Sequence, residues 1–439
     1  MTTDGNSRQL GLWMTSAIVV GSMIGSGVFL LPVSLAPFGI NSVVGWIVSG
    51  LGAVAIAYSL SKISRRGAGI QAAIEEVVGP TVGYLVTFAF WCSAWVSVGA
   101  LGIATATAVS WLDPRLQTSA FIVPFALVSI LVHTLVNIRG VRASGGVSIV
   151  TVFIRIFPLF AVIGVAAATS APAQLSGQFA AVPMSAGALA SAVALTLFAL
   201  TGFENATAPV EKVRDPGRVL PRALLGGVMF VAVLYLFASS AILIVLPKQQ
   251  LMSSAAPFAD AVGLEWGSGA AMVAAGAIAV AAFGSLNANL LAGGELAYSM
   301  ALRGGLPSMF ARTRGAKTPV AAHWLSAALA MLLVLANVSR TTTGLFSFLV
   351  LLTTAATLVL YLVGSAVAWE RSRAGERAII ALAIGFCVFA FWGAGLEADL
   401  WLLALLAIAY LLRMIMRRLH SSDQHSTLAA EASPAALPE

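Results

Sequence analysis

The sequence predicts an all-α membrane protein of twelve transmembrane helices, the first and sixth broken at mid-membrane, and three observations carry that prediction. The 439 residues are 59% hydrophobic and only 9% charged, where a soluble domain carries about 25% charged residues. Mean hydropathy is +0.95, and apolar runs of about 20 residues, enough to cross a bilayer, recur along the chain. Lys and Arg collect in alternate loops between those runs.

The runs fall at 12–37, 42–62, 81–112, 120–137, 146–168, 187–210, 222–246, 267–301, 319–338, 343–369, 377–394 and 397–416. The third, eighth and tenth exceed a perpendicular crossing and are expected to tilt or protrude. A short turn around Leu396 parts the last two. Organisation follows: a tail over 1–11, five helices over 12–168, five more over 187–369, two over 377–419, and an Ala/Pro-rich tail over 420–439 expected to be disordered. Met1–Gln9 is polar and does not read as a cleavable signal.

Orientation comes from the basic residues. One set of loops holds 20 of the 24 Lys and Arg, from Arg8 through Lys62, Arg139, Arg214, Arg303 and Arg371 to Arg418. The opposite set holds Arg115, Lys248 and Arg340, and Arg155 alone sits inside a span. Positive residues stay on the cytoplasmic side, so both termini are expected there, in a multi-pass protein of the cell (inner) membrane. The net charge of +7 is therefore topological and does not imply a nucleic-acid partner. No phosphate-binding loop, HExxH or Cys/His cluster is present, so ATP-driven pumping, metal chemistry and a cofactor are not expected. Cys92 and Cys387 lie in apolar runs and imply no disulfide framework. A secondary transporter, a channel or an intramembrane enzyme remains, and the absence of a nucleophile–base pair disfavours the enzyme.

The first run contains "GSMIGSGVFLLP" over 21–32. Glycine costs a helix interior about 1 kcal/mol relative to alanine. Such glycines can serve close helix packing, or they can mark a break. The sixth run carries a matching interruption, "LFALTGFENATAP" over 197–209. Paired interruptions at corresponding places in two halves point to a transporter's binding site. A break in lipid frees backbone groups at several kcal/mol each and presents two half-helix ends of opposite polarity.

These stretches resemble the amino acid–polyamine–organocation (APC) superfamily, and most closely its basic amino acid/polyamine antiporters. Further matches are "FALTGFENATAPVEKVRDPGRVLPRA" (198–223), "GPTVGYLVTFAFW" (79–91), "GSLNANLLAGGELAYSMALRGGLP" (284–307) and "KTPVAAHWL" (317–325), so the likeness runs from about residue 10 to 415. It implies a LeuT-like 5+5 inverted repeat plus two C-terminal helices, alternating access and a homodimer. The implied function is a sodium-independent amino acid antiporter of the arginine/agmatine type, with proton-coupled symport of small neutral amino acids as the alternative. The implied partners are an amino acid or amine substrate, protons and the lipid bilayer.

The resemblance also implies site residues. Met23, Gly25, Ser26 and Gly27 would grip a substrate carboxylate, with Ser22 standing where the antiporters have asparagine. Phe198, Ala199 and Thr201 would receive the amino group. Ala94, Val98, Asn289 and Thr353 fall at the subsite for the substrate side chain, where the antiporters' cysteine, asparagine, tryptophan and serine are replaced. Glu204 matches a gating and proton-sensing acid, with capping of the second half-helix as its plainer reading, and Tyr361 matches a gating tyrosine. Arg155 stands where related transporters carry a lysine in place of sodium. As a permanent cation it reads as a sodium-site mimic, or more plainly as a side chain on a loop carbonyl. Trp91, Trp95, Trp111, Trp266, Trp392 and Trp401 read as interfacial anchors.

Overall fold

The computed structural model describes residues 10–25, 27–64, 70–139, 145–168, 182–207, 213–313 and 318–431. Ser26, most of the tail over 1–11, the end of the tail over 420–439, and loop residues Arg65, Arg66, Arg142, Lys212, Arg314 and Lys317 lie outside them. In chain order the helices are α1 (Leu12–Met23), α2 (Gly27–Leu35), α3 (Ile40–Ile63), α4 (Ile70–Ser110), α5 (Ser119–Ile138) and α6 (Gly145–Ala168). After them come α7 (Ala186–Leu200), α8 (Pro216–Val245), the short α9 (Lys248–Ser253), α10 (Pro257–Leu302), α11 (Val320–Ala336), α12 (Thr342–Glu370) and α13 (Ala374–Glu431). The only extended pairing among the described residues is an isolated bridge between Leu10 and Val213.

Among the described residues eight helices, one of them Ala186–Thr207, are long and apolar enough to cross a membrane, or nine if the bent pair α1/α2 is one span. Ile154–Ala168 and α11 are shorter apolar helices. The protein is thus an all-helical, multi-pass membrane protein. In hydrocarbon a hydroxyl needs a partner inside the protein, and the chain supplies one locally. Thr105, Ser59 and Thr134 each donate to the carbonyl one turn back.

Three of the long helices contain a single non-helical glycine: Gly79 in α4, Gly267 in α10 and Gly395 in α13, with φ of 81°, 82° and 86°. Positive φ is open to glycine at little cost, and each marks a corner where a helix changes direction. Gly395 adjoins Leu396, where the sequence places a turn. Beyond it, α13 runs to Glu431, past residue 420 where the sequence reads as a disordered tail. No glycine or proline interrupts the stretch from 396 to 433, so nothing in the backbone stops the helix earlier.

α4 lies at the centre, packed against α10 and α12, while α3 packs against α7 and α8, and α1 against α8. Two of the tryptophans depart from their interfacial reading. Trp91 and Trp95 are buried at 3% and 4% exposure on α4, and Trp91 donates its ring N–H to Ser326. A helix enclosed on all sides has no lipid-facing position for them.

The ion pairs respect the two charge sets read from sequence. Lys62–Glu376, Arg303–Glu75 and Arg371–Glu76 tie together loops of the basic-rich set. Arg340–Glu397 belongs to the other. Lys62 beside Glu376 holds that carboxyl below its ordinary range.

Candidate functional site

The two interruptions meet. α1 ends at Met23 and α2 begins at Gly27, with a 48° bend between the pair. α7 ends at Leu200, and a short 3-10 turn follows over Phe203–Thr207. Between them Gly202 takes φ of 106°. A Cβ there would also stand 2.6 Å from the Ser22 carbonyl oxygen, so the two breaks touch backbone to backbone and only glycine fits.

The carbonyls of Val20, Gly21, Met23 and Ile24, at the end of α1 and in the break, each have a donor. Val20 accepts the N–H of Ile24 at 2.9 Å, and Met23 accepts the N–H of Gly25 at 2.8 Å. The Tyr235 hydroxyl of α8 also donates to Met23, at 3.2 Å. Arg155 Nη1 donates to the carbonyls of Gly21 and Ile24, at 3.4 and 3.1 Å. The break therefore survives because protein donors replace the lost helical ones. Arg155 comes from α6 and is only 9% exposed. Its guanidinium lies against Gly284 of α10, where a side chain would collide with it. Placing a cation at the negative end of a half-helix is favourable, and no carboxylate among the described residues forms an ion pair with it.

Glu204 closes the other break. Both of its carboxylate oxygens accept the Gly202 N–H, at 3.0 and 3.1 Å, and the Tyr361 hydroxyl of α12 donates to Oε2 at 2.7 Å. Tyr361 is fully buried and stacks on Phe203 with ring centres 5.4 Å apart.

A cavity of about 140 Å³ opens at these breaks, on the scale of a void that takes a benzene-sized guest. Ser22, Met23, Gly25, Gly27, Phe198, Ala199, Thr201 and Glu204 line one side, and Ala94, Asn289 and Thr353 the other, with Arg155 at the edge. Gly27 has no side chain, which lets the Phe198 ring lie against the backbone at the cavity wall. The sequence-derived set is thus brought together with three departures. Ser26 is outside the described residues. Tyr361 reaches the cavity only through Glu204. Val98 does not line it; Val98 packs instead with Ile130, Leu286, Leu290 and Ala327. The lining face of α4 runs through Phe90, Ser93, Ala94, Ser97 and Leu101, and at 100° per residue Val98 falls at its side. The Gly25 N–H is bonded to the Met23 carbonyl.

Sequence reasoning missed Ser97, Ser93 and Tyr235. Ser97 Oγ lies 3.0 Å from Asn289 Oδ1 and 2.8 Å from its own Ala94 carbonyl. The Asn289 amide in turn donates to Ser285 at 3.1 Å. This wall is polar and uncharged. Serine at three- and four-residue spacing beside Ala94 was the available signal.

A family model described as amino acid permease matches residues 10–426. Curated relatives are similar over most of their length. A putrescine transporter of Haemophilus influenzae is 26% identical over 83% of this chain and 84% of its own. A putative arginine/ornithine antiporter of Bacillus subtilis is 26% identical over 82% and 83%. A cadaverine/lysine antiporter of Escherichia coli is 24% identical over 96% and 98%.

Proposed function

The chain belongs to the amino acid permease family, and from that premise we propose that it is a sodium-independent antiporter of amino acids or amines. It would work by alternating access around the cavity where α1 and α7 are interrupted. It is a transporter and not an enzyme. The observation that carries the reading is the meeting of two helix breaks at one cavity, with the Arg155 guanidinium on the carbonyls of the first. A fixed cation on those oxygens takes the place that a sodium ion would need.

The reading includes a twelve-span, 5+5 inverted architecture over 12–168 and 187–369. Gly79 lies just before the third span and Gly267 at the start of the eighth, places that correspond in a 5+5 reading. Their backbone angles nearly coincide, at 81°, 168° and 82°, 174°. The interruptions in the first and sixth spans form the same kind of pair. Leu10 beside Val213 keeps the N-terminus with the basic-rich loops, in line with a cytoplasmic placement of both termini. The relatives' names concern putrescine, arginine, ornithine, cadaverine and lysine, and amino acids and amines are the substrate pool we assign.

Proteoliposomes test the transport mode. Uptake of labelled amino acid is expected to require unlabelled substrate inside, and to be unchanged when choline replaces sodium. Strict sodium dependence sinks the role given to Arg155. Uptake into empty vesicles driven by a proton gradient supports the second reading, proton-coupled symport. That reading is favoured by Glu204, a buried carboxyl in the cavity wall.

A further inference from the structure

Arg155 and Glu204 are the only charged side chains lining the cavity among the described residues, so Glu204 is its single source of negative charge. Both oxygens of Glu204 are engaged by Gly202, and one also by Tyr361. At the end of α1 the carbonyls of Gly21, Met23 and Ile24 already accept from Arg155, Tyr235 and Gly25. Arg155 answers to carbonyl dipoles rather than to a carboxylate, and its buried Nε has no partner. Across the cavity, the wall of Ser93, Ala94, Ser97 and Asn289 is neutral.

Taken together with the reading of this cavity as the transport site, on which it rests, we propose that the site selects substrates that carry a carboxylate and no net positive charge. These are neutral or acidic α-amino acids, and diamines are rejected. With Glu204 ionised the lining sums to zero charge, and with Glu204 protonated to one positive charge. A zwitterion leaves either total unchanged. Its single ammonium can use the α7 end and Glu204, while its carboxylate sits in the field of Arg155. A diamine adds two positive charges, and its second ammonium reaches a wall with hydroxyl and amide oxygens but no anion. Charge repulsion at several ångströms in a partly buried site disfavours it by roughly ten- to a hundredfold.

The test is competition binding to the purified full-length protein with alanine, serine, glutamate, arginine, putrescine and cadaverine. Neutral and acidic amino acids are expected to bind at least roughly tenfold more tightly than either diamine. Ala94→Asp places a carboxylate on the neutral wall and is expected to improve putrescine binding by roughly tenfold or more. Diamine binding as tight as that of alanine or glutamate overturns the proposal. So does a folded Ala94→Asp protein with unchanged diamine affinity, and if that variant does not fold the wild-type ranking decides. Tight diamine binding with obligatory exchange overturns the selectivity and leaves antiport standing. Selective amino acid uptake without counter-substrate does the reverse, and failure of the whole panel to bind overturns both.

Discussion

Glu204 is the residue on which the two breaks and the gate converge. Its carboxylate bonds back to Gly202 and receives the Tyr361 hydroxyl, so a change in its charge is felt in α7 and α12 together. Glu204→Gln keeps an oxygen for the Gly202 N–H and removes the charge. We expect it to flatten the pH dependence of exchange while substrate affinity shifts only a few-fold; an unaltered pH profile in proteoliposomes rejects a proton-sensing role. Tyr361→Phe removes one donor from a buried carboxylate, a loss of about 1.5–3 kcal/mol when the acceptor is charged, and is expected to lower the unfolding temperature. An ionisable residue inside an apolar run marks itself in the sequence, which is why Glu204 and Arg155 were legible there. The Ser97–Asn289 contact was not, because its partners are 192 residues apart and serine is ordinary in a membrane helix.

At the scale of the element, each helix break is a solved problem of backbone satisfaction, and the two solutions differ. In α1 the carbonyls are capped by side chains from other helices. In α7 the chain turns through Gly202 and caps itself with Glu204. Gly202→Ala must adopt a left-handed conformation at a cost of about 1–2 kcal/mol and also drives a Cβ into the Ser22 carbonyl. It is expected to abolish transport and to destabilise the purified protein. Gly27→Ala meets only the Phe198 ring, which can swing toward the cavity, so a folded protein with weakened substrate binding is expected. Gly202→Ala transport at the wild-type rate contradicts this account of the break. The interruptions after α1 and α7 fall at Gly25, Gly27 and Gly202, glycines the sequence already singles out. The corners at Gly79 and Gly267 could not be read from it, since the chain has 41 glycines and periodicity does not reveal which of them take positive φ.

At the scale of the whole molecule, charge placement decides which way the bundle faces. Ion pairs join Lys62, Arg303 and Arg371 to acids on the basic-rich side, while Arg340 pairs with Glu397 on the other. The apolar runs and the loop bias were plain in the sequence because the bilayer imposes them directly. The enclosure of α4 was hidden, because lipid-facing and core-facing residues are equally apolar, and this misplaced Trp91 and Trp95. Both native cysteines, Cys92 and Cys387, are fully buried, so a membrane-impermeant maleimide should report only on cysteines introduced at the surface. Leu112 is 62% exposed after α4, on the side of Arg115, and Arg373 is exposed on the basic-rich side. In intact cells Leu112→Cys is expected to label and Arg373→Cys to stay unlabelled until the membrane is permeabilised. The reverse pattern would invert the molecule and place both termini outside. Labelling of both in intact cells would contradict the separation of the two charge sets, and with it the odd number of crossings that the twelve-span reading places between the two positions.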